Sequence, residues 1–154
     1  MLNIAMFVSV TRLRVRSKLF LPRFLWLTMR IRRQTERADG FLGGELLVDS
    51  KLTFWTLTTW DGDKSMKRYR GSGPHSIAMS KLPVWCDEAA YTHWTEGAAR
   101  IPGWEEAFVR FAHSPKLSRV DHPSPEHQRG EFQAMNLNTR LRRKITPIRN
   151  RATA

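Results

Sequence analysis

The sequence predicts an α+β domain whose elements follow the order βαββαβ. Three observations carry this. Side-chain character alternates from Ala5 to Val15, apolar residues recur at helical spacing from Phe20 to Ile31, and two further strand-like runs flank a short turn at Asp49-Ser50-Lys51. At 154 residues and 41% apolar content, the chain suits one compact domain whose core needs no crosslinks.

The elements follow in order. In the first strand Phe7, Ser9, Thr11, Leu13 and Val15 form one alternating set, and Val8, Val10, Arg12 and Arg14 the other. Ser17 can cap the next segment and Pro22 is tolerated in a first turn, so Phe20, Phe24, Leu27 and Ile31 predict a helix over about 19–37. Ala38-Asp39-Gly40 breaks it. FLGGELLVDS is a second strand interrupted at Gly43-Gly44, where a bulge or a close backbone approach is expected. LTFWTLTTW is the third strand, joined to the second as a hairpin. Asp61-Gly62-Asp63 starts a short helix carrying Met66, Tyr69 and Arg70, Gly71 to Pro74 interrupts it, and a further helical turn runs through Ile77, Ala78, Met79 and Leu82 to a stop at Pro83. Glu88 to Thr95 is the fourth strand.

This order is the ferredoxin-like arrangement, four antiparallel strands carrying both helices on one face. Neither face of the third strand is polar: Trp55, Leu57 and Thr59 oppose Phe54, Thr56, Thr58 and Trp60, so a second sheet or a partner subunit is expected to cover the other side. Trp104, Phe108 and Phe111 predict an extra helix, which places residues 1–114 in the folded domain. Residues 115–154 read as a basic, irregular or partly disordered tail.

The net charge of +12 is unevenly placed, at +8 over residues 1–37, −2 over 38–113 and +6 over 114–154. Arg30, Arg32, Arg33 and Arg37, and then Arg140, Arg142, Arg143, Lys144, Arg149 and Arg151, suit weak contact with nucleic acid or an anionic membrane, or plain solubility. The tail lacks the alternation of basic and aromatic residues that base readout would use. Cys86 is the single cysteine, so no internal disulfide forms and a reducing compartment, the cytoplasm, is expected. The N-terminal segment lacks a signal-peptide pattern, and LFLPRFLWLTM, with Arg23 inside it, falls short of the roughly 20 residues of a membrane span. No metal-ligand spacing, phosphate loop or nucleophile elbow occurs.

The third strand FWTLTTW, the acidic turn DGDKSM, the stretch YRGSGPH and the closing strand EAAYTHW resemble the dimeric α+β-barrel superfamily, above all the antibiotic biosynthesis monooxygenase-like proteins. The spacing from Trp60 to His75, and on to Tyr91-Thr92-His93-Trp94, is also similar to the spheroidene monooxygenase branch. The resemblance covers residues 5–96. It implies two sheets paired face to face in a homodimer, and a small apolar or aromatic ligand held in a cavity.

Against that background His75, behind the flexible Gly-Ser-Gly-Pro bend, is the candidate base; its plain alternative is an exposed histidine at a helix start. Arg14 or Tyr91 is the candidate for stabilising an enolate-like oxygen, with pairing to an acid as the alternative for Arg14. Trp55 with Leu57 is expected to face the cavity, Trp60 to anchor the following helix, and Trp85 to form a wall. Tyr91 and His93 lie two apart on one strand and share a face, where they can hydrogen-bond a phenolic or quinonoid ligand.

Three functional readings are open. The first is a monooxygenase-like enzyme acting without a cofactor on an aromatic, quinonoid or polyene molecule. The second is a haem-binding protein or haem-dependent monooxygenase with His75 or His93 as the iron ligand, although the iron-binding histidine of haem-degrading relatives falls where this chain has Ala78 and Met79. The third is a non-catalytic dimeric ligand-binding module whose tail attaches it to a polyanion.

Overall fold

The computed structural model describes residues 5–49, 51–139 and 141–148. The elements are β1 (Met6–Val15), α1 (Leu21–Arg37), β2 (Phe41–Asp49), β3 (Thr53–Trp60), α2 (Asp63–Arg70), α3 (Gly73–Trp85), β4 (Cys86–Glu96), α4 (Trp104–His113), β5 (Lys116–Leu117), α5 (Pro125–Arg129) and β6 (Arg142–Ile145). Among the described residues the strands form one antiparallel sheet in the order β5-β4-β1-β3-β2-β6. Its four central strands and the helices α1 and α3 make the expected ferredoxin-like unit.

Register fixes which side chains share a face. β1 pairs Thr11 with Thr56 of β3 and with Tyr91 of β4, so one face carries Ser9, Thr11, Thr56, Thr58, Tyr91 and His93 under α1 and α3. The other face carries Val8, Val10, Leu47, Trp55, Leu57 and Ala90. The predicted bulge is present: the β2–β3 register shifts between Phe41 and Gly43. Gly44 follows because a Cβ there would lie 2.2 Å from the Leu57 carbonyl oxygen, closer than any side chain tolerates. The centre of the hairpin turn, Ser50, lies outside the described residues.

Three expectations are corrected. Pro83 does not stop α3, which continues to Trp85. The proline sits in the last turn, where the end of the helix finds partners elsewhere in the fold: Asp121 N–H donates to the Pro83 carbonyl and Arg16 N–H to that of Trp85, both at 2.9 Å. The second sheet face, expected to lie under a second sheet or a partner subunit, is covered by the chain's own α4. Trp104, Ala107 and Phe111 of α4 bury Trp55 and Leu57 to 0% and 1% exposure, with Met135 and Phe132 of the following chain completing the cover. Face-to-face pairing of two sheets through this side would require α4 to leave.

The segment after Ser114 also departs from the irregular tail expected of it. It supplies β5, α5 and β6, and Ile145 of β6 is buried with Phe41, Trp60 and Met66. Arg140, Arg149 and Arg151 lie outside the described residues. Among the described residues no helix is long and apolar enough to cross a membrane.

Candidate active site

The bend between α2 and α3 places the first functional side chain. Gln34, on α1, clamps it from both sides: its amide Nε2 donates to the carbonyls of Tyr69 (3.1 Å) and Ser72 (2.8 Å), and its Oε1 accepts the His75 N–H at 2.9 Å. Gly73 in this bend has φ +54°, which disfavours any residue with a Cβ. α3 then starts with Pro74 in its first turn, where a missing N–H costs no helical bond.

His75 is thereby turned inward, half-buried against Tyr69 with ring centroids 4.9 Å apart. Its Nδ1 lies 3.2 Å from the Arg70 carbonyl oxygen. A carbonyl only accepts, so Nδ1 carries the proton and the neutral ring keeps its lone pair on Nε2. Burial pushes the His75 pKa below its ordinary value, with the charge of Arg70 acting in the same direction.

His75 lines a cavity of about 180 Å³ between the sheet and helices α1 and α3. Tyr91 and His93 reach it from β4, Trp85 from the end of α3, and Phe24, Leu27 and Ile31 from α1. Tyr91 and His93 stack at 4.9 Å, sharing a face as their spacing predicts. His93 is pushed down to about 4, first by burial and then by the charges of Arg70, Lys116 and Lys67, so it is neutral at physiological pH. Tyr69, whose hydroxyl lies 2.7 Å from that of Thr35, is raised by burial to about 12 and stays a phenol.

Four of the seven predicted site residues therefore meet in one cavity: His75, Tyr91, His93 and Trp85. Three do not. Trp55 and Leu57 lie on the opposite face beneath α4, because their set on β3 is the one that α4 covers. Phe54, Thr56 and Thr58 take the cavity side instead, and Trp60 of that set packs on Tyr69 of α2 at 4.9 Å.

Arg14 also lies on the far side. Its guanidinium donates twice to Asp87, at 2.9 and 2.8 Å, and lies 3.1 Å from Glu88. Glu88 also pairs with the buried Arg12 and accepts from Ser124 at 2.8 Å, so this is a structural ion network. The residue missed by sequence reasoning is Arg70. It lines the cavity, and its charge acts on both His75 and His93. Its place at the end of α2, next to the glycine bend, was the available signal.

The cavity is small for two of the expected ligands. About 180 Å³ is below the roughly 300–1,000 Å³ of pockets that take drug-sized molecules. It is close to the cavity of about 150 Å³ known to hold benzene. Among the described residues no group of three or more His, Cys, Asp or Glu side chains could hold a metal ion. Cys86 is fully buried, with its thiol raised to about 12, so it is not a reactive thiol.

No family model matches the chain, and no curated protein matches it. Solved structures do. A protein from Shewanella oneidensis superposes with a TM-score of 0.54 at 11% identity, over 61% of this chain and 93% of that one. A conserved protein from Methanosarcina mazei gives 0.53 at 14% identity, over 60% and 93%. A Nitrosomonas europaea protein, provisionally described as an antibiotic biosynthesis monooxygenase, gives 0.51 at 15%, over 64% and 94%. At these identities the likeness is one of fold. The chain has the ferredoxin-like α+β fold found among the antibiotic biosynthesis monooxygenase-like proteins.

Proposed function

We propose that the chain is a monooxygenase-like enzyme that oxidises a small hydroxyaromatic molecule, forming a quinonoid product, in the cavity beneath α1 and α3. The observation that carries the reading is the placement of His75. Its Nδ1–H is held by the Arg70 carbonyl, which leaves a neutral imidazole lone pair on a ring that lines a largely apolar cavity.

The chemistry follows from the residues. A phenol that enters the cavity loses its hydroxyl proton to Nε2 of His75, and the positive charge of Arg70 favours the phenolate. The hydroxyl of Tyr91 can hydrogen-bond the same oxygen. A ring anion delocalised over carbon can transfer electrons to dioxygen, the oxidant. One oxygen atom becomes the new carbonyl, and the other leaves as water with the ring hydrogen and the phenolic hydrogen. A hydroxyarene and O₂ thus give a quinone and H₂O. The lowered pKa of His75 keeps it unprotonated and able to accept at neutral pH, at some loss of basicity.

The test is oxygen uptake and quinone absorbance with a panel of mono- and bicyclic hydroxyarenes. His75→Ala and Arg70→Gln should each lower turnover by about 10²-fold or more, as loss of a general base or an oxyanion partner does. Leu57→Val, on the far face, should leave kcat unchanged. Turnover retained in His75→Ala would refute the assignment. Saturable binding of the same ligands with no oxygen uptake would leave a ligand-binding module in place of an enzyme.

A further inference from the structure

The outward face of the helical layer has no part in the cavity chemistry, and its composition is unusual. Of the exposed positions of α1, half are apolar and half are arginines; none is acidic or neutral polar. Trp26 is 61% exposed and Met29 53%, while Arg30 lies 4.9 Å over the Trp26 ring. The one acid of α1, Glu36, is already paired with Arg32 at 3.0 Å. Just before the helix, Leu19 is 87% exposed.

The neighbouring helix continues the pattern. α3 contains no acidic residue, and Ile77, Lys81 and Val84 are exposed on it. Arg23 and Trp26 of α1 form a shallow groove with Ile77 and Lys81 of α3. Exposed large apolar side chains therefore run across two helices, and the charged side chains exposed on those helices are all cations. A soluble surface rarely leaves such a contiguous set bare.

We propose that this face docks on an anionic lipid bilayer. The two ingredients match the two layers of a membrane surface: Leu19, Trp26, Met29 and Ile77 enter the boundary between headgroups and acyl chains, while Arg23, Arg30, Arg33 and Lys81 meet lipid phosphates. Nucleic acid fits less well, because phosphate contacts use the arginines and leave the apolar side chains in water. A second copy fits less well too, because a two-fold interface would set the cations of one face against those of its copy.

The docking face lies directly outside the cavity. Leu27 and Trp85 line the cavity on one side and the groove on the other, so these two side chains separate a bound membrane from the candidate site. The docking itself rests on surface composition and stands independently of the proposed oxidation.

The experiment is vesicle flotation of the full chain, with phosphatidylcholine vesicles and with the same vesicles carrying phosphatidylglycerol, at low and high salt and without any small ligand. Binding is expected only to the anionic vesicles and should weaken with salt. Trp26→Ser with Met29→Ser should lower the partition coefficient by about tenfold or more at unchanged circular dichroism. Arg23→Gln and Arg30→Gln should each lower it by about fivefold. Arg110→Gln, on α4 of the far face, should lower it least. Equal binding to neutral vesicles, or indifference to the α1 substitutions, would overturn the proposal. So would retention of DNA that Arg23→Gln and Arg30→Gln abolish, which would assign the face to nucleic acid. A concentration-dependent dimer lost in the Trp26→Ser, Met29→Ser variant would assign it to self-association.

Discussion

Phe111→Ala tests the covering of the sheet by its own chain. The ring is fully buried, stacked edge-on to Trp55 at 5.1 Å and set beside Phe132 at 5.7 Å. Truncation removes the transfer free energy of a buried aromatic and leaves a cavity lined by indole and phenyl groups that cannot readily collapse. Phe→Ala changes of this kind cost about 3–5 kcal/mol. That is a large fraction of the roughly 5–15 kcal/mol by which a domain is stable. Urea denaturation followed by tryptophan fluorescence would read it as a lowered midpoint at unchanged slope. Val109→Ala, at a position 68% exposed on the same helix, should stay within about 0.5 kcal/mol. If Phe111→Ala cost less than about 1 kcal/mol, α4 would not be the cover. A dimer of the natural chain whose dissociation coincided with unfolding would point to a partner sheet in its place.

Glu88→Ala should destabilise by about 3–5 kcal/mol, because Arg12 is then buried without its carboxylate, and the double change Arg12→Met, Glu88→Leu should recover most of the loss in the same urea titration. Gln34→Leu removes three hydrogen bonds at the α2–α3 bend and should cost about 1–3 kcal/mol. The freed His75 should then titrate closer to its ordinary pKa in an NMR experiment. His93, held at about 4, binds its proton less readily folded than unfolded. Its contribution is complete above about pH 6.5 and is lost as pH falls toward 4, a difference on the order of 1 kcal/mol after allowance for partial exposure. His93→Gln should flatten the stability profile across that window only; an unchanged slope would show that His93 is not the group responsible.

The local elements were legible because each satisfies its own periodicity. The alternation of β1, the helical spacing of Phe24, Leu27 and Ile31, the glycines of the β2 bulge and the break before His75 all depend on near neighbours in the chain. The face of β3 was not legible, because both of its sides are buried and its hydropathy does not separate them. A subtler signal lay in β1, where Ser9 and Thr11 alternate with the purely aliphatic Val8 and Val10. The hydroxyl-bearing set faces the cavity, and through the register it carries Thr56 and Thr58 with it. The role of α4 depended on tertiary packing: its apolar stripe announced a buried face, but not what that face would bury. Of the two readings of Arg14, pairing with an acid is the one the structure shows, and the sequence did not show which acids: Asp87 and Glu88 are brought beside it by the antiparallel register of β1 and β4.

That network explains why a sheet should keep charges on its most hydrophobic face. The side-chain period of a strand is two, so a one-residue slip of β4 against β1 would carry Tyr91 and His93 out of the cavity and put Ala90 and Thr92 in their place. Most side chains across this pair would resist such a slip only weakly, since Ala89, Ala90 and Thr92 are small. The ion pairs would not tolerate it. In the observed register Arg14 stands opposite Glu88 and Arg12 opposite Ala90, which lets both guanidinium groups reach Glu88 while Arg14 also grips Asp87. After a slip, Glu88 would turn toward the helices, and Arg12, buried between Trp55 and Phe132, would lose its carboxylate. An unpaired buried charge costs several kcal/mol. The charges on the far face therefore act as a register lock, and what they hold in place is the pair of side chains, Tyr91 and His93, that the cavity uses on the near face.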